Sequence, residues 1–245
     1  MLSDGSNAFT WNARNQVATL NSVSLQYDGF GRRTKNLRNT SFLFDGANAV
    51  QELSGSTITA NLLDGGVDEI FTRADSSGSF TQLKDALGST IALVDASGNL
   101  VTQYAYDPFG NTTLSGATNA NAFQYTGREN EGNGLYYYRA RYYSPALHRF
   151  ISQDPLGFRG SGPNWYAYAY NNPTNLVDPS GMAAMAGPDG KECTSIRACN
   201  LARRKAAIKS WIANMNALCQ ARELICPDGI MGPVSYGPGA LSANV

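Results

Sequence analysis

Turns built from an aspartate and a glycine recur through the first 110 residues and divide them into short segments of alternating polarity. They occur at residues 28–31 (DGFG), 45–46 (DG), 64–66 (DGG) and 107–110 (DPFG). Asp caps such turns with its side chain, Gly supplies positive φ, and the alternating segments are typical of strands with one buried face. The clearest unit, residues 91–106 (IALVD, the turn ASGN, then LVTQYAY), predicts a β-hairpin.

These turns are spaced by about 20 residues, which predicts a repeat in which each hairpin stacks on the next to cover its apolar side. Composition agrees, because 25 glycines and a charged fraction of 16% favour a turn-rich β fold over helices. A length of 245 residues with 42% hydrophobic content is enough for a buried core. We therefore predict a mainly β protein built as a strip of β-hairpins.

Aromatic residues concentrate in the second half of the strip, where eleven of the 13 tyrosines lie between Tyr104 and Tyr170. We predict that most are strand and core aromatics whose hydroxyls find hydrogen-bond partners. A carbohydrate-binding aromatic surface is the alternative. His148 is the only histidine, which excludes Ser-His-Asp and Cys-His catalysis except through that residue, and a structural or exposed histidine is the favoured interpretation.

Six motifs follow one another in a fixed order along the chain. They are YDGFGRR (27–33), YDPFG (106–110), YTGRE (125–129), GLYYYRARYY (134–143), RFISQDPLG (149–157) and NWYAYAYNNPTNLVDPSG (164–181). The ordered set resembles the Rhs/YD-repeat family over roughly residues 9–182. The closing stretch is similar to the Rhs repeat-associated core domain that ends those shells.

This resemblance implies a fold and a biological setting. Family members are β-strips that spiral into a hollow shell around a C-terminal toxin segment, and they are bacterial export and competition proteins. The implied partners are the chain's own C-terminal segment as cargo, the upstream part of a larger shell and secretion-system components. The implied location is secreted or at the bacterial cell surface, although Met1-Leu2-Ser3-Asp4 does not begin a signal peptide, so we expect the chain to be the end of a longer protein.

The resemblance also implies a self-protease. Asp154 and Asp178 each open an Asp-Pro-x-Gly turn, and two carboxylates held together in a partly dry site do not easily both ionise. Such a pair supplies the acid and the base of peptide hydrolysis. Carried over to this chain, Asp154 and Asp178 are the catalytic pair, Arg141 is the supporting cation, and Met182–Ala183 is the bond that is cut.

The same aspartates have a purely local explanation. Asp, Pro and Gly are preferred at these positions of a turn, and residues 107–110 share the motif without an assigned role. A non-enzymatic β-repeat module that presents or packages a segment is therefore the alternative function. A carbohydrate-binding surface protein is the second alternative.

The last 63 residues have a different composition, so we predict two domains, residues 1–182 and 183–245. Residues 183–190 are typical of a linker, and residues 195–223 predict an amphipathic helix compatible with contact to a membrane surface or a partner. The tail carries seven Lys/Arg and four Asp/Glu, a net charge of +3, which does not indicate nucleic-acid binding. It holds no recognisable catalytic motif.

All four cysteines, Cys193, Cys199, Cys219 and Cys226, lie in this tail. On one helix Cys199 and Cys219 would be about 30 Å apart, too far to bridge, so local pairs at the two helix ends or four free thiols remain open. No C-x-x-C occurs and no cofactor or metal site is predicted. No apolar run reaches the roughly 20 residues of a membrane span.

Overall fold

The computed structural model describes residues 2–65, 68–157 and 163–185, and these residues form three antiparallel sheets. The first sheet contains β1 (Phe9–Trp11), β2 (Val17–Leu20) and β3 (Val23–Ser24). The largest contains β4 (Gln26–Tyr27), β5 (Arg33–Lys35), β6 (Ser41–Asp45), β7 (Asn48–Ser54), β8 (Thr57–Asp64), β9 (Ile70–Asp75), β10 (Gly78–Lys84), β11 (Thr90–Val94), β12 (Leu100–Tyr106) and β13 (Thr112–Gly116). The third contains β14 (Glu129–Asn130), β15 (Tyr136–Tyr138), β16 (Arg141–Ser144) and β17 (Arg149–Phe150).

Every sheet is a simple meander in which each strand pairs with the next one in the sequence. Short 3₁₀ turns occur at Tyr125–Gly127 and Ala169–Asn171. The prediction of a mainly β fold is confirmed. The predicted helix of residues 195–223 and the four cysteines lie outside the described residues.

The hairpin predicted for residues 91–106 is confirmed, with Leu93 of β11 opposite Thr102 of β12. Its turn is closed by a hydrogen bond from the Gly98 amide to the Asp95 carbonyl oxygen at 2.9 Å. Neighbouring hairpins join edge to edge in one sheet, whereas the repeat pattern predicted that they stack. Edge-to-edge pairing satisfies the backbone groups that a separate hairpin leaves open.

The apolar side of the large sheet is covered by the chain that follows β13. Phe123 packs in a buried cluster with Phe42, Leu62 and Ile70 of the sheet. The backbone of this covering segment also contacts the large sheet, since the Thr90 amide of β11 donates to the Gln124 carbonyl oxygen at 3.0 Å. The segment between β13 and β14 is therefore part of the core beneath the large sheet.

A second buried cluster is almost wholly aromatic. It contains Tyr125, Tyr136, Tyr138, Tyr143, Phe150 and Tyr168 together with Ala169. The prediction that the tyrosines are core residues is confirmed for these five, whose burial leaves them unavailable as an exposed sugar-binding surface. His148 is exposed and stacks on Phe109 with ring centroids 3.9 Å apart, in line with the structural or exposed interpretation.

No helix among the described residues has the length and apolar character that crossing a membrane requires.

Candidate active site

Arg141 is the first residue of β16, and its side chain points into the protein beside the aromatic cluster. The residue is 2% exposed, and its guanidinium carbon lies 3.7 Å from the centroid of the Phe150 ring. Nη1 donates to the Trp165 carbonyl oxygen at 3.0 Å, and Nε donates to the Gly181 carbonyl oxygen. The guanidinium is therefore fixed in the interior by backbone and ring contacts.

Both predicted aspartates contact the same nitrogen of this arginine. Arg141 Nη2 lies 3.0 Å from Asp154 Oδ2 and 3.3 Å from Asp178 Oδ2. The two aspartate residues are 5% and 0% exposed. The fold thus brings Asp154, Asp178 and Arg141 into one buried cluster, although the aspartates are 24 positions apart in the sequence.

The third Asp-Pro-x-Gly turn provides an internal comparison. Asp107 is exposed, and its carboxylate accepts hydrogen bonds from the Phe109 and Asn111 amides at 2.9 and 3.0 Å. Burial tends to raise the pKa of Asp107, but these local hydrogen bonds outweigh it and the pKa lies below its usual value. The same motif therefore gives a solvated cap at Asp107 and buried carboxylates at the other two positions.

Asp154 is held by its own turn and by the chain that returns past it. Oδ1 accepts a hydrogen bond from the Leu156 amide at 2.8 Å, and the Asp154 amide donates to the Trp165 carbonyl oxygen at 2.9 Å. Oδ2 is buried and, among the described residues, has its ion pair with Arg141 but no partner at hydrogen-bond geometry.

Asp178 lies directly at the bond that was predicted to be cut. Its Oδ1 accepts hydrogen bonds from the Met182 amide and the Ala183 amide, both at 3.1 Å, and from the Ser180 hydroxyl at 3.2 Å. Burial raises the pKa of the Asp178 carboxyl above its usual value, against the opposing effects of Arg141 and of these N–H donors. A carboxyl group whose pKa is raised by burial therefore lies within hydrogen-bond distance of the Ala183 nitrogen.

Burial also acts on the arginine. Desolvation lowers the pKa of Arg141, and the charges of Asp178 and Asp154 raise it, with a net lowering. An arginine remains protonated at any pH at which the protein is folded, so the cluster contains one permanent positive charge and two carboxyl groups.

The chain on both sides of the Met182–Ala183 bond is held in place. Val177 and Met185 exchange two backbone hydrogen bonds, at 2.8 and 2.6 Å, and Ala184 packs against the aromatic cluster. Before the bond, the turn of residues 178–181 ends in Gly181, whose φ is +68°. The bond is thus presented in a short loop with both ends fixed.

Comparisons with known proteins agree on one group, although no family model matches the chain. The tRNA nuclease WapA of Bacillus subtilis is 32% identical over 199 residues, covering 73% of this chain and 8% of the relative. The toxin protein Tse5 of Pseudomonas aeruginosa is 42% identical over 99 residues, covering 40% of this chain and 7% of the relative. The crystal structure of TcdB2-TccC3 superposes with a TM-score of 0.58 at 25% identity, covering 73% of this chain and 10% of that chain.

The chain belongs to the Rhs/YD-repeat family. This Rhs chain spans less than a tenth of the length of the curated relatives described above. The family resemblance that the six motifs indicated is therefore confirmed.

Two residues of the Rhs core were not predicted as site residues: Arg139, which contacts the 178–181 turn, and Asp68, which contacts Arg139. Arg139 donates to the Pro179 carbonyl oxygen, and Asp68 forms an ion pair with Arg139 at 2.8 Å. Arg139 lies in the motif GLYYYRARYY, two positions before Arg141. Membership of this motif was the one sequence signal that could have marked Arg139 as a site residue. Asp68 stands in a loop of the large sheet with no motif around it, so the sequence offered no signal for it.

Proposed function

We propose that this chain is the C-terminal part of an Rhs-type toxin shell and that its core cuts its own Met182–Ala183 bond once. The contact that carries the proposal is the 3.1 Å approach of Asp178 Oδ1 to the Ala183 nitrogen, the atom that leaves when this bond is hydrolysed. Asp178 acts as the general acid, Asp154 acts as the general base, and Arg141 holds the two carboxyl groups together.

In this mechanism Asp154 Oδ2 takes a proton from a water molecule, and the water oxygen attacks the carbonyl carbon of Met182. The resulting tetrahedral intermediate collapses as the C–N bond breaks and the Asp178 carboxyl gives its proton to the Ala183 nitrogen. The products are a carboxylic acid at Met182 and an amine at Ala183, and the acid then passes its remaining proton to the amine or to solvent. The proton gained by Asp154 and the proton lost by Asp178 balance, so the site needs no further reactant besides water.

In this mechanism the attacking water comes from a neighbouring cavity. An open cavity of about 660 Å³ is lined by Pro155 of the Asp154 turn, by Ser180 and by Met182, the residue that carries the attacked carbonyl. A cavity of this size accommodates many water molecules beside polar groups. This cavity is therefore the proposed source of the nucleophile.

The wider role follows from the relatives. Tse5 is named as a toxin, and WapA is named as a nuclease; both extend far beyond the part matched here. We therefore propose that residues 183–245 are the cargo segment. The proposed partners are the upstream shell and secretion components. The proposed location of the protein is secreted or at the cell surface.

Intact-mass spectrometry of the purified chain, repeated in its natural full-length context, tests the cleavage. We expect two fragments that meet at Met182 and Ala183, and we expect Asp154→Asn and Asp178→Asn each to leave the chain whole. Asp107→Asn is the matched control, because it changes the same turn motif at an exposed position, and it should be cut like the unmodified chain. Cutting that survives Asp178→Asn would reject the assignment.

One observation favours the alternative of a non-enzymatic module. Asp154 and Asp107 each accept a hydrogen bond from the amide two residues on, at 2.8 and 2.9 Å, so both cap their turns in the same way. If capping is the only role, Asp154→Asn and Asp178→Asn lower the melting temperature and never change the mass. The same set of variants therefore decides between the two functions.

A further inference from the structure

The connection between β15 and β16 lies directly against the turn of residues 178–181. The Ala140 amide donates to the Ser180 carbonyl oxygen at 3.2 Å, and the Arg139 guanidinium donates to the Pro179 carbonyl oxygen. At Gly181 the two backbones are so close that a Cβ would lie 2.1 Å from the Tyr138 carbonyl oxygen. The position of Asp178 and of the following bond is therefore set by this connection.

Arg139 is in turn held from the large sheet. Its Nη2 lies 2.8 Å from Asp68 Oδ1 and its Nη1 lies 3.2 Å from Asp68 Oδ2, which is a two-point contact between planar groups. Asp68 follows β8 and precedes β9, 71 positions earlier in the sequence. A loop of the repeat strip thus contacts the residue that holds the 178–181 turn.

Asp68 is itself docked by several groups. Its carboxylate also pairs with Arg128, and its carbonyl oxygen accepts a hydrogen bond from Lys84 Nζ at 2.7 Å. Its backbone packs on Gly127, where an added Cβ would lie 2.6 Å from the Asp68 carbonyl oxygen. These contacts leave the carboxylate little freedom, so it can orient the Arg139 guanidinium.

The backbone conformation of Arg139 indicates that the position of this residue is constrained by its surroundings. Its φ is +53°, in the left-handed region that residues other than glycine rarely occupy. Such a backbone persists only where surrounding contacts determine it. Among the described residues, the Arg139 side chain donates hydrogen bonds to Asp68 and to the Pro179 carbonyl oxygen.

We infer that Arg139 is a positioning residue for the proposed self-cleavage and that Asp68 supports it through their ion pair. The inference rests on the proposed function, since it explains how the 178–181 turn is held at the reacting bond. Arg139 does not touch the reacting atoms. It acts through the Pro179 carbonyl, and Asp68 acts through Arg139.

The rate of self-cleavage after refolding tests this dependence. We expect Arg139→Ala to slow cutting between about tenfold and about a hundredfold, because small displacements of reacting groups cost factors of this size. Arg139→Lys keeps a donor for the Pro179 carbonyl and should recover part of the rate. Asp68→Asn should slow cutting in the otherwise unmodified chain but should not slow it further in a chain that carries Arg139→Ala. Additive effects of the two substitutions on the rate would contradict the inference. Arg149→Ala, at an exposed arginine, is the control and should leave the rate unchanged.

Amide hydrogen exchange separates this inference from the proposed function. In chains kept whole by Asp154→Asn, we expect Arg139→Ala to speed exchange at the Met182 and Ala183 amides by about tenfold, the factor that one charge-assisted hydrogen bond represents. This measurement needs no cutting. An uncut native chain would overturn the proposed function, and unchanged exchange at these two amides would overturn the role of Arg139.

Discussion

At the scale of single residues, one turn motif serves in two different environments. Asp107 is solvated, whereas Asp154 and Asp178 share the buried nitrogen of Arg141 at 3.0 and 3.3 Å. The sequence predicted the identity of these residues because the family motif contains them. It did not predict that Asp178 accepts hydrogen bonds from the Met182 and Ala183 amides, since that depends on the course of the chain beyond the turn.

The raised pKa of Asp178 leads to a pH dependence. As the general acid, Asp178 must carry its proton, so the rate of cutting should fall as the pH rises through its pKa. Because the folded chain binds this proton more tightly than the unfolded chain, stability from this group is also greatest at acidic pH and is lost as the pH rises through the folded pKa. Rates measured after refolding across a pH series should show a descending limb above the usual pKa of an aspartate. A rate that only increases with pH would contradict this role.

At the scale of elements, the turns and hairpins were predictable and their contacts were not. Residues 91–106 gave a correct hairpin because alternation and an Asp-to-Gly turn are local signals. The contact of the 178–181 turn with the connection after β15 joins segments 40 positions apart, and no local pattern marks it. The edge-to-edge arrangement of the hairpins is likewise not a local property. It depends on the chain after β13, which covers the apolar side of the resulting sheet.

Gly181 provides a test at this scale. Gly181→Ala places a Cβ 2.1 Å from the Tyr138 carbonyl oxygen and also strains a backbone with φ of +68°. We expect it to abolish cutting and to lower the melting temperature. Gly134→Ala is the matched control, because Gly134 also has positive φ, at +81°, but has no atom within 4 Å of an added Cβ. It should cost only about 1–2 kcal/mol and leave cutting intact. Equal effects of the two substitutions in a thermal melt and a cleavage assay would argue against the close contact.

At the scale of the molecule, buried charges join the sheets. Arg33 of β5 pairs with Glu129 and Glu131 in and beside β14, and its Nη1 donates to the Tyr142 hydroxyl at 2.8 Å. Asp68 makes a second link of this kind through Arg128 and Arg139. These links lie 60 to 109 positions apart in the sequence, so sequence patterns could place the residues on strands without predicting their partners.

Removal of Arg33 should therefore separate the strip from the core. Arg33→Ala leaves Glu129 and Glu131 buried without their cation, and breaking a buried pair in this way costs about 3–5 kcal/mol. Burial already raises the pKa of Glu129 against the attraction of Arg33, so the loss should be largest at neutral pH, where the carboxylate is ionised. Urea unfolding measures the change. Arg38→Ala, at a nearby exposed arginine, should change stability little, and a similar small change at Arg33 would show that the link is unimportant.

The most direct test of the account is to let the chain fold and cut itself in water enriched in heavy oxygen, followed by mass spectrometry of both fragments. The account predicts one fragment that ends at Met182 with a single heavy oxygen in its new carboxylate, and a second that begins at Ala183 with none. The two fragments should be absent from the Asp178→Asn chain. A chain that stays whole in its natural full-length context, a cut at another bond, or a cut that Asp178→Asn does not prevent would contradict it.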